Sequence, residues 1–210
     1  MPTDIIPDDV NKLPIMQNNQ INKIIFLISF TMILFSCGKK NPKIAIKTEF
    51  GDIIIELYQK EAPCTVSNFL KYIKENRFDE ATFYRVVRLD NQPDNENKIE
   101  VIQGGLFEDD HPKALPPINH ESTKQTGILH KDGIISMARY EPGTATSEFF
   151  ICIGDQASLD FKGGRNSDKQ GFAAFGKVIK GMEIVRKIQT QNAVGQYLEP
   201  RIKIIDMLIL

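Results

Sequence analysis

The segment over residues 136–154 constrains the fold more than any other part of the chain. Two short apolar runs, residues 134–138 and 149–153, flank a polar loop that is rich in Gly, Pro, Ser and Thr. Apolar runs of this length around turn-forming residues predict a strand, a loop and a second strand. Because loops held by a rigid scaffold carry much of the binding chemistry of proteins, this loop is a candidate ligand-binding element.

Short strands also dominate the chain after residue 42. The apolar pattern predicts strands over residues 43–49, 52–58, 82–87, 101–105, 127–138, 149–153, 171–179 and 201–210. One helix is predicted to begin near Ala62 and another to cover residues 181–189, and the predicted loops are 88–100, 111–125 and 161–170. Because a closed sheet has no unpaired edge, we expect a mainly β fold in which a closed antiparallel barrel is flanked by two α-helices.

The charge balance limits the partners that this chain can bind. Its 210 residues contain 26 Lys and Arg against 27 Asp and Glu, which gives a net charge of −1. A nucleic-acid-binding protein needs a basic surface, so we expect no nucleic acid as a partner. The length and the hydrophobic content suit one folded domain, which we expect to be a monomer.

The first 42 residues form a region of different character. Residues 24–35 are twelve residues without a charge, and they are followed by Ser36, Cys37 and Gly38. This run is shorter than the roughly 20 residues that a membrane-spanning helix needs, and it suits the apolar core of a secretion signal. The residues that end at Cys37 resemble a bacterial lipobox, in which the cysteine is lipidated and becomes the new N-terminus.

The lipobox resemblance implies a signal peptide over residues 1–36, a lipidated tether over residues 37–42 and a folded domain over residues 43–210. The protein is then expected to be a lipoprotein of the bacterial cell envelope, anchored in the inner or outer membrane and facing the periplasm. The early aspartates suit a signal peptide poorly, so we expect translation to start at Met16. The alternative is a disordered tail followed by a buried helix or a membrane anchor.

Two cysteines remain besides Cys37. Cys152 lies in an apolar predicted strand, and Cys64 lies at the start of a predicted helix. Two separate buried thiols are the favoured interpretation. A disulfide between them is the alternative in an oxidising periplasm, because sequence does not reveal the geometry that a disulfide needs.

Five short motifs occur in an order that identifies a family. They are residues 61–69 (EAPCTVSNF), 83–87 (FYRVV), 103–105 (QGG), the pair 137–138 (MA) with 149–150 (FF), and 172–178 (FAAFGKV). Together they resemble the cyclophilins, a family of peptidyl-prolyl cis-trans isomerases. The resemblance implies a cyclophilin-type barrel, isomerase activity on X-Pro bonds without a cofactor or metal, and proline-containing unfolded or exported polypeptides as partners.

Arg85 is the residue that the resemblance marks as catalytic. Rotation about an X-Pro bond has a barrier of roughly 18–20 kcal/mol, because amide resonance gives the C–N bond double-bond character. A guanidinium directed at the prolyl nitrogen withdraws the lone pair from conjugation, and it does so most strongly in the twisted state. Gln103 is the expected partner that holds this guanidinium in place.

The proline ring needs an apolar slot beside this charge. By resemblance, the residues that bind substrate are Val101, Met137, Ala138, Arg139, Glu148, Phe150, Leu159 and Phe172. Met137, Phe150 and Leu159 are expected to form the slot itself, with Val101 and Phe172 as its walls. The backbone around residue 139 is expected to bond the peptide that precedes the proline.

Four positions depart from the best-known eukaryotic pattern of the family. Glu100 stands where a phenylalanine often lines the pocket, and Ile99 is the alternative occupant because the local alignment is ambiguous. Glu148 replaces a frequent glutamine, and Phe172 replaces a frequent groove histidine. Ser158 stands at the site of a tryptophan that supports cyclosporin binding, so we expect an active isomerase with weak cyclosporin sensitivity.

Two other classes of function fit parts of the sequence. The negative charges of Glu100 and Glu148 favour a non-catalytic proline-binding or chaperone module tethered to the membrane. A metal-dependent or hydrolytic enzyme would use His111, His120 and His130, whose spacings of nine and ten residues match no usual ligand pattern. We therefore expect these three to be exposed loop histidines.

Overall fold

The computed structural model describes residues 40–108 and 110–210. The predicted signal peptide, the start at Met16 and the lipidation site Cys37 lie outside these residues. The strands are β1 (Lys43–Thr48), β2 (Gly51–Leu57), β3 (Thr82–Val87), β4 (Val101–Gly105), β5 (Ile134–Met137), β6 (Phe149–Cys152), β7 (Ala173–Lys180), β8 (Ala193–Val194) and β9 (Tyr197–Ile209). The helices are α1 (Pro63–Lys74), α2 (Thr123–Thr126) and α3 (Met182–Gln189), and a 3₁₀ turn covers Ala157–Leu159.

Eight of these strands close into an antiparallel barrel. Their order is β1-β2-β7-β5-β6-β4-β3-β9, and β9 pairs back with β1 to complete the ring. The short strand β8 pairs with β9 as a hairpin outside the ring. The prediction of a mainly β fold with a closed antiparallel barrel is therefore confirmed.

The helices and one strand differ in detail from the prediction. Helix α2 is a single turn that begins within the predicted loop 111–125 and ends one residue beyond it, and Ser122 and Gln125 form a capping box there. The described parts of the chain thus contain three α-helices rather than two, and none is long and apolar enough to cross a membrane. The strand predicted over residues 127–138 begins only at Ile134, because a turn precedes it in which Gly133 has a φ of +79°.

Helix α1 begins where the sequence predicts. Pro63 suits the first helical turn, where its missing N–H would have no partner in the helix. Val66, Phe69 and Ile73 recur at helical spacing, and all three pack into the core of the barrel. The apolar face that the sequence predicts for this helix therefore packs against the core of the barrel.

Alternate residues of the barrel strands face two separate apolar clusters. In β6, Phe149 and Ile151 belong to the large core inside the barrel, whereas Phe150 and Cys152 belong to a smaller cluster on the outer face. A strand that is covered on both faces produces this division, since successive side chains point in opposite directions. The outer cluster comprises Val87, Ile99, Val101, Phe150, Cys152 and Leu159, with Ala138 and Phe172 packed against it.

The two cysteines of the described residues are both free thiols. Cys152 is fully buried, and this burial raises the pKa of its thiol. Cys64 is only partly buried at the start of α1. The interpretation as separate thiols is confirmed, and the alternative of a disulfide between them is wrong.

Candidate active site

Every predicted site residue of the folded domain except Met137 lines one groove on the outer face of the barrel. The groove has a volume of about 610 Å³. Its walls come from β3, β4 and β6, from the loop between β5 and β6, and from the loop over residues 157–172. The loop that the sequence marked as a ligand-binding element thus runs along the groove.

Arg85 lies in β3 and presents its guanidinium to the groove. Its Nη1 donates to Oε1 of Gln103 at 2.9 Å, and its Nε and Nη2 donate to Oε1 of Gln196 at 3.0 and 2.5 Å. Arg85 and Gln103 stand opposite each other in the β3–β4 register, which brings their side chains together. Within the described residues the guanidinium forms no ion pair with a carboxylate, so neutral amides hold it on both sides.

A relay of hydrogen bonds sets the direction of the Gln103 amide. Its Nε2 donates to the Tyr84 hydroxyl at 2.6 Å, and that hydroxyl donates to a carboxylate oxygen of Glu148. Because a carboxylate only accepts, the hydroxyl has to accept from Gln103, which leaves the Gln103 carbonyl directed at Arg85. Burial, together with the charge of Glu148, raises the pKa of Tyr84 far above its ordinary value, so the phenol keeps its proton.

The carboxylate of Glu148 is compensated by its immediate neighbours. One oxygen accepts from the Tyr84 hydroxyl, and the other accepts from the backbone N–H of Phe107 at 3.0 Å and from Oγ of Ser147 at 2.9 Å. The carboxylate occupies the space that a Cβ atom would need at Gly105, whose φ is +145°. Among the described residues Glu148 forms no ion pair, and Tyr84 and Gln103 lie between its carboxylate and the Arg85 guanidinium in the chain of hydrogen bonds.

The outer apolar cluster forms the slot. Phe150 is its floor, and Phe172 meets Phe150 edge to face with ring centroids 5.3 Å apart. Val101 and Leu159 supply further apolar surface on either side. The ring of His130 stacks on the face of Phe150 that points away from the groove, with ring centroids 5.9 Å apart, and supports Phe150 there.

Met137 does not belong to the slot, so its prediction as a substrate-binding residue is wrong. Its side chain is 1% exposed and packs in the core inside the barrel. In the β5–β6 register Met137 stands opposite Phe149, which is the inward-facing member of the phenylalanine pair. Directly paired residues share a face of the sheet, so Met137 points inward and Ala138 lines the groove instead.

The sequence left open whether Ile99 or Glu100 occupies the position where a phenylalanine often lines the pocket. In the structure, Ile99 occupies it. Ile99 is buried in the outer cluster and lines the groove. Glu100 lies away from the groove, near the Gln189 amide at 3.5 Å. No acidic side chain therefore enters the slot at this position.

The Arg139 side chain fastens one loop to the end of β5. Its Nη1 and Nη2 pair with the carboxylate of Asp168 at 2.7 and 3.0 Å, and its Nε and Nη2 donate to the Gly171 carbonyl at 2.9 and 2.6 Å. Its guanidinium also lies 5.2 Å from the ring centroid of Phe172. The ion pair neutralises Arg139 and lowers the pKa of Asp168.

The prediction of three exposed loop histidines is wrong. His130 is 1% exposed, with Nδ1 at 2.7 Å from the Asp160 carboxylate and Nε2 at 2.9 Å from Oγ of Ser136. Ser136 is fully buried, so this array presents no nucleophile to the groove. His111 and His120 are half-buried, and within the described ranges no three His, Cys, Asp or Glu side chains form a group that could hold a metal.

Residues 43–208 match the family described as cyclophilin type peptidyl-prolyl cis-trans isomerase/CLD. The chain belongs to the cyclophilin family. Cyclophilins of this description are peptidyl-prolyl cis-trans isomerases, so the protein is an enzyme of that class. The matched range covers every strand of the barrel apart from the last residue of β9.

Bacterial cyclophilins resemble the chain over most of their length. It is 38% identical over 151 residues to a peptidyl-prolyl cis-trans isomerase of Acinetobacter baylyi, which covers 70% of this chain and 72% of that protein. It is 34% identical over 149 residues to peptidyl-prolyl cis-trans isomerase B of Escherichia coli, which covers 70% and 83%. These relatives agree with the family assignment.

A solved structure supports the fold of this cyclophilin. It is a cyclophilin type peptidyl-prolyl cis-trans isomerase of Cryptosporidium parvum, crystallised in the presence of the dipeptide Ala-Pro. The TM-score is 0.62 at 21% sequence identity, and the match covers 80% of this chain and 98% of that chain. At this identity the likeness is one of fold.

Two residues of the hydrogen-bond network around Arg85 were not predicted in this cyclophilin. Tyr84 stood inside a recognised motif without a role, and Gln196 stood in no motif. Gln196 follows Gly195 at the tip of the β8–β9 hairpin, and its Nε2 donates to the Asn91 carbonyl at 3.0 Å. A Gly-Gln pair in a turn carries no catalytic signature, so only the tertiary structure reveals its contact with Arg85.

Proposed function

We propose that this cyclophilin isomerises X-Pro bonds with Arg85 as its catalytic residue. The observation that carries this proposal is the guanidinium of Arg85, held by Gln103 and Gln196 at the edge of an apolar slot. The slot binds the proline ring over Phe150, and the fixed charge lies beside it.

The chemistry requires no covalent step. The barrier arises from conjugation between the prolyl nitrogen and the carbonyl. This conjugation is lost as the bond twists, and the lone pair then localises on the nitrogen. A cation directed at that lone pair stabilises the twisted state more than either planar isomer. Because amides hold the guanidinium in position before substrate arrives, little reorganisation accompanies the reaction.

The two acidic residues that favour a non-catalytic module do not enter the slot. Glu100 lies outside the groove, and Glu148 is compensated by Tyr84 and its neighbours. The geometry therefore favours catalysis over simple binding. A protein that binds proline peptides without accelerating their exchange would select the non-catalytic alternative.

The test compares the exchange rate of an Ala-Pro peptide for the wild type and Arg85→Ala. Removing one preorganised electrostatic donor lowers kcat by about 10²–10³-fold in other enzymes, and we expect a loss of this size. Arg186→Ala is the matched control, because Arg186 lies on α3 and pairs with Asp132 outside the groove. Unchanged turnover in Arg85→Ala, with the control equally active, would remove Arg85 from the mechanism.

We further propose that the enzyme is a lipoprotein that acts on exported polypeptides in the cell envelope. The support is the uncharged run over residues 24–35 and the lipobox-like ending at Cys37. Mass spectrometry of the membrane-extracted protein is expected to show an acylated N-terminal Cys37, and Cys37→Ala is expected to abolish the acylation. A peptide that retains Met1 or Met16 would contradict this proposal.

A further inference from the structure

Three guanidinium groups line the groove, and their surroundings differ. Arg139 is neutralised by its two-point ion pair with Asp168. Arg85 and Arg165 form no ion pair with any carboxylate among residues 40–108 and 110–210. Arg85 is the proposed catalytic residue, whereas Arg165 is a second uncompensated charge in the same groove.

Arg165 is held at the rim of the slot by two loops. Its backbone N–H donates to the Ser158 carbonyl at 3.0 Å, next to the slot residue Leu159. Its Nη1 donates to Oε1 of Gln92 at 2.9 Å and to the Asn97 carbonyl at 3.0 Å, on the loop that leads to the slot. These bonds use one end of the guanidinium and leave Nε and Nη2 without a hydrogen bond to the described residues.

The charge of the groove is unbalanced beside the slot. Burial, followed by the charge of Arg85, lowers the pKa of Arg165, so the two guanidinium groups repel each other across the groove. Glu148 is the single acidic residue among the described groove residues, and its carboxylate already accepts three hydrogen bonds. A negative charge placed beside the slot would relieve this repulsion and gain the free donors of Arg165.

We propose that Arg165 forms a subsite for a carboxylate on the substrate, carried by an Asp or Glu residue next to the proline. This inference rests on the proposed function, because it takes the slot as the binding site of the proline ring. The preference for an acidic substrate then depends on the loops over residues 88–100 and 157–172, because these loops hold Arg165 in position.

The test uses blocked peptides that differ by one residue, with Glu or Gln directly after the proline and, in a second pair, directly before it. Exchange rates and binding affinities are measured for each. In one of the two pairs we expect the wild type to favour the Glu peptide by up to about fivefold in kcat/KM and in affinity, which is the upper end for one partly exposed ion pair. The preference should weaken as salt is raised, because salt screens partly exposed charges.

Three variants separate charge from structure. Arg165→Gln is expected to reduce the Glu-to-Gln ratio to about one, and Arg165→Lys, which keeps the charge, is expected to retain part of it. Arg186→Gln is the matched control and is expected to keep the wild-type ratio, since Arg186 lies outside the groove. A ratio of one in the wild type at both positions, or a preference that survives Arg165→Gln, would overturn the subsite.

The same data distinguish failure of the subsite from failure of the proposed function. Equal exchange rates for Glu and Gln peptides would remove the subsite while isomerase activity stands. Tighter binding of the Glu peptide without any acceleration of exchange would support the subsite and contradict the catalytic role of the groove.

Discussion

The inner and outer faces of the barrel are built from the same strands but differ in what they hold. The inner face of β6 buries Phe149 in a large apolar core that includes residues of α1 and α3. The outer face, one residue along, places Phe150 in a small cluster beside the Arg85, Gln103 and Tyr84 network. The strands thus use one face for stability and the other for chemistry.

This difference shows where the polar groups of the site obtain their support. Inside the barrel, most side chains are apolar and are held by close packing. On the outer face, polar groups depend on hydrogen-bond partners, and several of these partners come from a loop or hairpin, such as Gln196 for Arg85 and Asp168 for Arg139. Changes on the two faces should therefore have separable effects on stability and activity.

The largest expected effect comes from the phenylalanine pair itself. Phe149→Ala leaves a closed cavity in the core and should lower the free energy of unfolding by about 3–5 kcal/mol. Phe150→Ala should lower it less, because the space opens to the groove, and should instead raise KM strongly. Urea unfolding and peptide exchange measured on both variants check these expectations. Equal losses of stability would contradict the difference between the inner and outer faces.

Gln196→Ala tests whether the β8–β9 hairpin positions Arg85. The variant removes the acceptor of two guanidinium hydrogen bonds, so we expect kcat to fall by about tenfold while KM changes little. Gln191→Ala is the matched control, because that side chain bonds the Lys187 carbonyl at the surface. A rise in KM with kcat intact would point to a binding role instead.

Tyr84→Phe is expected to lower kcat by about threefold to fivefold, because Gln103 loses the bond that directs its amide.

The same variant also tests the raised pKa of Tyr84. Tyrosine in the unfolded chain titrates near pH 10, and the pKa of Tyr84 in the folded protein is higher. The unfolded state therefore loses this proton first, and wild-type stability should decrease as pH rises above about 10. Tyr84→Phe should show a shallower decrease in urea unfolding above that pH, and an equal slope would contradict the shift.

The smallest expected effect is that of Asp168→Asn. Losing this partly exposed ion pair should cost less than about 1 kcal/mol and should raise KM about twofold by loosening the loop that carries Phe172. Because the pKa of Asp168 is lowered, its contribution is present above about pH 4 and is lost as pH falls below that value. Unfolding measured at about pH 7 and pH 3 should therefore show the difference between variant and wild type only at the higher pH.

The elements that depend on local pattern could be predicted from the sequence, and those that depend on pairing between distant segments could not. The strands and α1 follow from apolar periodicity. Arg85 and Gln103 were assigned by the resemblance of two motifs to those of the family, and the structure adds that their strands pair. Met137 was misplaced because the β5–β6 register decides which face it shares, and periodicity leaves that register open.

The support of the site was the least predictable part. Gln196 bonds Arg85 although the two residues are more than one hundred positions apart in the sequence. It lies in the hairpin that begins with the two-residue strand β8. His130 was expected to be exposed, yet its ring is buried behind the slot, where it bonds Asp160 and Ser136. The Arg85–Gln196 and His130–Asp160 contacts join residues that are 111 and 30 positions apart in the sequence, so no local pattern predicts them.

The central claim is that a guanidinium held in a fixed direction, rather than a positive charge alone, accelerates proline rotation. The most direct test is kcat/KM for Arg85→Lys on an Ala-Pro peptide, with unfolding measured in parallel. Lysine keeps the charge but cannot bond Gln103 and Gln196 as a planar fork. We predict a loss of at least about tenfold with wild-type stability, whereas wild-type turnover in Arg85→Lys would contradict the account.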